Sequence, residues 1–211
     1  MRGKFITFEG ADGGGKSTQV QLAADYLRQR GYEVVVSREP GGTPLAEKVR
    51  ALVLDPELPL SNISQTLLYL AARSEHADKL LRPAVAAGKI VLCDRFSDST
   101  LVYQGLALGK GAEEVNELRL LNAFAAGGLT PDLTLLLDGA PKLLARRRER
   151  RGVSDRYERQ GLDYQHKLRQ GFLALAQAEP ERIKIINAEG DLQAVAGAVQ
   201  RALDALLDGA E

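Results

Sequence analysis

Residues Gly10 to Ser17 read GADGGGKS and fit the spacing GxxxxGK[ST], directly after the apolar run Phe5 to Phe8. Glycines at 10, 13, 14 and 15 allow successive backbone N–H groups to turn inward around an anion, a path that a Cβ would obstruct. Lys16 can reach the outer phosphates of a nucleoside triphosphate, and the Ser17 hydroxyl suits Mg²⁺. A helix beginning here points its positive dipole end at the same anion. The expected triphosphate contacts are Gly10, Ala11, Asp12, Gly13, Gly14, Gly15, Lys16, Ser17 and Thr18.

Further chemistry-bearing residues follow. Asp94 and Arg95 leave the apolar run Ile90 to Cys93, and Ser97, Asp98, Ser99, Thr100, Tyr103 and Gln104 come just after. A carboxylate and a guanidinium at the tip of a buried strand can be a plain ion pair. Beside a phosphate loop they suit two tasks: Arg95 forks onto an acceptor phosphate, while Asp94 holds a water on Mg²⁺ or orients the attacking group. Arginines at 146, 147, 148, 150 and 151 form a basic run before Asp155-Arg156-Tyr157-Glu158. Such a run can be a solvated helix face or a nucleic-acid contact. His76 and His166 have no His or Cys at metal-ligand spacing, so surface or packing roles are expected, and Cys93 reads as a buried structural thiol.

The elements that must position these groups are legible in the apolar runs. Five short ones, Phe5 to Phe8, Val34 to Val36, Ile90 to Cys93, Leu133 to Leu137 and Ile183 to Ile186, alternate with helical patterns. That alternation predicts an α/β fold of the phosphate-loop NTPase kind, a parallel five-stranded sheet flanked by helices, within one domain. Ligands of such sheets gather at the carboxyl ends of strands, where Asp138 also falls. Asp191 is expected to cap a final helix whose apolar stripe is Leu192, Val195, Val199, Leu203 and Leu206. Leu45, Val49 and Leu52 give amphipathic spacing after the Pro-Gly turn at 40–42.

With 28 basic and 28 acidic side chains the chain has no net pull toward nucleic acid or anionic membrane. No apolar stretch reaches bilayer length, and no signal-type h-region precedes the first strand, so a cytoplasmic location is expected.

Taken together these segments resemble thymidylate kinase of the bacterial type along nearly the whole chain. The carriers are the phosphate loop, REPGGTPLAEKVR at 38–50, Tyr69 to Arg73, DRFSDST at 94–100 with Tyr103-Gln104-Gly105, and the arginine run. The resemblance implies transfer of the γ-phosphoryl of MgATP to dTMP, with Mg²⁺ as cofactor and a homodimer as the assembly. Asp94 and Ser17 serve the metal, and Lys16, Asp94 and Arg95 the chemistry. Glu39 lies in the loop beneath the acceptor. Tyr69 stacks on thymine, Arg73 hydrogen-bonds its O4, and Thr100 helps read the base edge. Tyr103 crowds the sugar C2′, Asp12 accepts from the 3′-hydroxyl, and Ser99 and Gln104 complete the acceptor set. One branch of the family has an arginine directly after the acidic residue of the phosphate loop. Gly13 stands there in this chain, so the resemblance implies a cation from a lid at about 141–160, with Arg151 expected first and Arg147 second.

Three alternatives stay open on the residues alone. One is another nucleotide or deoxynucleoside kinase of the same fold. Another is a nucleotide switch, whose GTPase form would need an NKxD segment that does not occur here. The third is a nucleic-acid-binding ATPase that uses the arginine run.

Overall fold

The structure, a computed structural model, describes residues 2–149 and 161–209. Five strands form the sheet: β1 (Phe5–Glu9), β2 (Val34–Arg38), β3 (Ile90–Asp94), β4 (Leu133–Asp138) and β5 (Ile183–Asn187). They lie in the order β2-β3-β1-β4-β5, and every pairing is parallel. Each strand extends past its apolar run by one or two residues, which carries Glu9, Arg38, Asp94, Asp138 and Asn187 to the same sheet edge. The expected parallel sheet is therefore present, with β1 at its centre.

Among the described residues the α-helices are α1 (Lys16–Gln29), α2 (Pro44–Leu54), α3 (Asn62–His76), α4 (Arg82–Ala86), α5 (Ser97–Tyr103), α6 (Ala112–Ala125), α7 (Pro141–Glu149), α8 (Leu162–Ala178) and α9 (Leu192–Asp208). One π turn, Ala77–Leu81, joins α3 to α4.

Strand alternation sorts the core. Ile6, Phe8, Leu92, Leu135 and Leu137 face α1 and α9, meeting Val20, Leu27, Val195, Val199 and Leu203. On the opposite face Phe5, Val91 and Cys93 meet Leu81, Val85 and Phe96, while Leu136 and Ile183 join Leu101, Val102, Leu168 and Phe172. Burying each such side chain contributes about 1.5–3 kcal/mol. Both faces are covered, which explains why the strands read as continuous apolar runs.

Two helical stripes differ from their sequence patterns. Asp191 caps α9 through Ala194 N at 2.8 Å, as expected, but Leu192 at the first helical position is exposed. The packed part of the stripe begins one turn later, at Val195, and continues through Val199 and Leu203. In α2 the buried side is Ala46, Val49 and Val53, whereas Leu45 and Leu52 are about half exposed at 49% and 47%. Thr43 caps this helix, accepting from Ala46 N at 3.3 Å.

Candidate active site

The phosphate loop occupies the turn between β1 and α1. Gly10 has φ 126°, and a Cβ there would lie 2.5 Å from the Leu137 carbonyl of β4. No other residue fits where the loop crosses its neighbouring strand. Lys16, buried at the start of α1, donates to the Gly10 and Ala11 carbonyls at 2.9 and 3.0 Å, with Asp12 at 3.8 Å. Its ammonium is thus laid along the inside of the loop. Ser17 Oγ donates to Asp94 Oδ2 at 2.6 Å, which joins the helix start to the end of β3. Thr18 follows on the exposed side of α1.

Arg95 adopts φ 72°, the left-handed region, alone among the described non-glycine residues. That backbone choice costs about 1–2 kcal/mol. It swings the side chain back under the phosphate loop. The guanidinium donates to Gly10 O (3.1 Å), Ser99 Oγ (3.0 Å), Asp12 Oδ1 (2.7 Å) and Tyr103 Oη (3.0 Å). Tyr103 Oη donates in turn to Asp12 Oδ2 at 3.2 Å. Burial pushes the Asp12 carboxyl up, but Arg95 and Lys16 outweigh it and hold the group well below the ordinary carboxylate range.

Arg73 of α3 is just as tightly fixed. Its Nε donates to Glu39 Oε2 at 2.8 Å and Nη1 to Thr100 Oγ1 at 2.9 Å; Nη2 pairs with Glu39 at 2.7 Å. Asn122 Oδ1 of α6 accepts from the same Nη1, and the guanidinium lies 5.0 Å over the Phe96 ring. On the far side of Glu39, His76 Nδ1 meets Oε1 at 3.1 Å, and its Nε2 meets Ser37 Oγ at 2.6 Å. Burial opposes ionisation of Glu39, yet Arg73 and His76 together lower its pKa. His76 is therefore a buried packing residue with a polar task, while His166 is exposed.

These networks meet in one open pocket. Every residue expected to bind an acceptor lines it: Asp12, Glu39, Tyr69, Arg73, Arg95, Ser99, Thr100, Tyr103 and Gln104. Arg50, Phe96, Pro40 and Leu54 line it as well and were missed by sequence reasoning. Arg50 ends the segment read as an amphipathic helix, and its guanidinium turns inward to the Pro40 carbonyl at 3.0 Å. Asn122 was missed too: a lone amide on a helix face carries no spacing signal.

The arginine run divides differently from expectation. Arg151 lies outside the described residues. Arg147 donates to the Ala188 carbonyl at 2.7 Å, on the turn between β5 and α9, and not to the phosphate loop. Its neighbour Arg148, buried, donates to the Asp12 carbonyl at 2.9 Å and to Gln165 Oε1 at 3.3 Å. The reason is helical register. Leu144 and Arg148 are one turn apart in α7 and share the face against the phosphate loop, so Arg147 is turned about 100° away. A Cβ on Gly13 would lie 2.4 Å from the Leu144 carbonyl and 3.2 Å from Arg148 Cγ. The lid-side helix thus fills the space beside Gly13, and a side chain at that position is excluded. Asp138 is paired with Arg169 of α8 through two hydrogen bonds of 2.8 and 2.7 Å.

A phosphate loop with its buried lysine, an oxygen pair at the helix start and an adjoining pocket lined by guanidinium groups together describe a phosphoryl-transfer site with a separate acceptor compartment. The family model for thymidylate kinase matches residues 8–199. The chain belongs to the thymidylate kinase family. A curated thymidylate kinase of Symbiobacterium thermophilum is 45% identical over 96% of this chain and 94% of its own length. The thymidylate kinase of Caldanaerobacter subterraneus subsp. tengcongensis is 41% identical over the full length of both. Among solved structures, thymidylate kinase from Ehrlichia chaffeensis superposes with a TM-score of 0.78 at 34% identity, covering 97% of this chain and 99% of that one. The thymidylate kinase family and the phosphate-loop fold expected from the motifs are thus borne out. Among the described residues no helix is long and apolar enough to cross a membrane.

Proposed function

We propose that this chain is an ATP:dTMP phosphotransferase, forming dTDP and ADP. The observation that carries the reading is the pairing of Arg95 with Asp12 where two compartments meet: both line the acceptor pocket, Asp12 belongs to the loop that holds Lys16, and Arg95 bonds to that loop at Gly10 and Asp12. The donor phosphates lie along the loop amides and Lys16. The acceptor phosphate needs no strong base, because its oxygens are already ionised at neutral pH; alignment and charge neutralisation do the work. Arg95 lines that compartment with its four Nη–H groups held by protein acceptors, so it brings its charge to the phosphate and exchanges some of these bonds to grip it. Arg73 uses four of its five N–H groups on described residues, leaving one Nη2–H for the thymine O4, and Tyr69, one turn earlier in α3, supplies the stacking face.

The metal fits these residues. Ser17 Oγ and the Asp94 carboxylate are hard oxygen donors 2.6 Å apart, the kind of set Mg²⁺ takes. When bound there, Mg²⁺ would neutralise charge on the donor phosphates. Among the described cations, Arg148 stands at the phosphate loop where α7 approaches it; the stretch 141–160, of which 150–160 lie outside the described residues, is proposed as a lid that excludes water on closing.

In solution, MgATP and dTMP are expected to give equal amounts of ADP and dTDP by ³¹P NMR. Release of inorganic phosphate in place of dTDP would overturn the reading.

Selection of deoxyribose rests on Tyr103. The ring is buried, edge-on to Phe172 at 6.2 Å, and its hydroxyl is held by Arg95 and Asp12, so it cannot swing aside for a 2′-hydroxyl. Tyr103→Ala is expected to raise the TMP-to-dTMP ratio of kcat/KM by about 10-fold or more. Competition assays with both acceptors measure this, and an unchanged ratio would remove the steric account.

We further propose a homodimer and a cytoplasmic location. Ile63 and Leu67 of α3 and Leu120, Leu121 and Phe124 of α6 are exposed, Phe124 at 87%, on two helices that pack against each other. An apolar surface of this kind suits a second copy of the chain. Phe124→Asp is expected to shift the molecular mass measured by light scattering from two copies toward one.

A further inference from the structure

Glu9, the last residue of β1, plays no part in the mechanism above, yet it is 1% exposed and accepts three hydrogen bonds. Oε1 takes the Phe96 amide at 2.8 Å and the Ser99 amide at 3.2 Å; Oε2 takes the Ser99 hydroxyl at 2.6 Å. Helix α5 has no side-chain cap of its own, since Phe96 stands at its N-cap. The Glu9 carboxylate does that task from another element. Ser99 Oγ also accepts from Arg95 Nη1, and the carbonyl of the next residue, Gly10, accepts from the same nitrogen. Arg95 therefore reaches Glu9 through the Ser99 hydroxyl and not directly.

We propose, resting on the acceptor-site reading above, that Glu9 is a positioning residue for Arg95: it fixes Phe96 and Ser99, which follow the left-handed residue, and so holds the guanidinium in the wall of the acceptor pocket. A left-handed arginine is not self-sustaining and persists only where its surroundings over-determine it. Glu9 supplies that determination with one carboxylate, linking the strand that feeds the phosphate loop to the helix that forms the pocket wall.

The carboxylate is not there for stability. Burial, reinforced by Asp98 of α5 and opposed by Arg95, pushes Glu9 up to about 7. Lys16 of α1 and the buried Cys93 of β3 feel its charge as well. Because the folded-state value is raised, stability is highest when Glu9 is protonated and declines as pH rises through about 7. Replacing it with the neutral isostere removes that cost.

The test measures kcat, both KM values and Tm at pH 8.5 for the unaltered chain, Glu9→Gln, Ser99→Ala and the double variant. Glu9→Gln is expected to lower kcat/KM for dTMP by about 10-fold or more, to leave KM for ATP within about twofold, and to hold or raise Tm. Ser99→Ala is expected to give the same kinetic loss, with no further loss in the double variant. Turnover of Glu9→Gln close to the unaltered chain would overturn the proposal, as would a fall in Tm accompanied by a rise in both KM values, or multiplicative losses in the double variant. Failure of the dTMP-kinase reading itself would show in the unaltered chain, as absence of dTMP-dependent turnover.

Discussion

Lys16→Ala is expected to lower turnover at saturating MgATP and dTMP by about 10³-fold, with the fold retained. The magnitude follows from where the charge sits. Lys16 is buried, and its ammonium rests on two neutral carbonyls of the loop, with its nearest ion-pair partner, Asp12, at 3.8 Å. Desolvation and the neighbouring Arg95 lower its pKa, so this cation is held at a cost where little water can screen it. Charge developing on the transferring phosphoryl group is met by a donor already in place. Loss of the ammonium relieves burial strain in the free protein, so Tm is expected to stay level or rise while turnover collapses. Near-normal turnover in the variant, read in a coupled ADP assay, would dismiss the phosphate-loop assignment.

The second large effect is expected at Arg95. Arg95→Lys keeps the charge but loses the planar fork, and kcat/KM for dTMP is expected to fall by about 10²-fold or more. A lysine has one ammonium to divide among Gly10 O, Ser99 Oγ, Asp12 Oδ1 and Tyr103 Oη, which the guanidinium meets simultaneously. Arg95→Ala leaves Asp12 with only the more distant Lys16 opposite it, so the Asp12 carboxyl rises toward its ordinary range. Steady-state kinetics with dTMP varied at fixed MgATP measures the loss. A change confined to KM for ATP would place Arg95 on the donor side and contradict the two-compartment arrangement.

Much of this site was readable before any coordinates because phosphate binding constrains backbone, and backbone constraint shows as glycine spacing. The loop from Gly10 to Ser17 and the strand before it are local in sequence, so one motif specifies both. The acceptor residues were legible differently. Tyr69, Arg73, Thr100 and Tyr103 carry little chemistry as a pattern, and it was their resemblance to a family that picked them out; the structure then gathers them into one pocket. What stayed hidden is what touches them from behind. Asn122 and Glu9 are distant in sequence from the arginines they brace, as His76 is from Glu39, and a single polar residue looks the same whether it braces a site or fills a gap. The arginine run shows a third limit. Adjacent positions of one helix differ by about 100° in direction, so telling which of Arg147 and Arg148 faces the phosphate loop required knowing where α7 docks, and Leu144 against Gly13 decides that for Arg148. The stripes of α2 and α9 teach the same lesson: periodicity finds the apolar side of a helix, and the neighbouring elements determine how much of it is covered.

The most direct test of the account is acceptor-dependent ADP formation from MgATP, measured across dTMP, dUMP, TMP, dCMP, dGMP, AMP and thymidine beside a blank without acceptor. The two-compartment site predicts fast turnover with dTMP, with TMP well below it and a blank near zero. Preference for a different monophosphate, or ADP release that ignores the acceptor altogether, would contradict it.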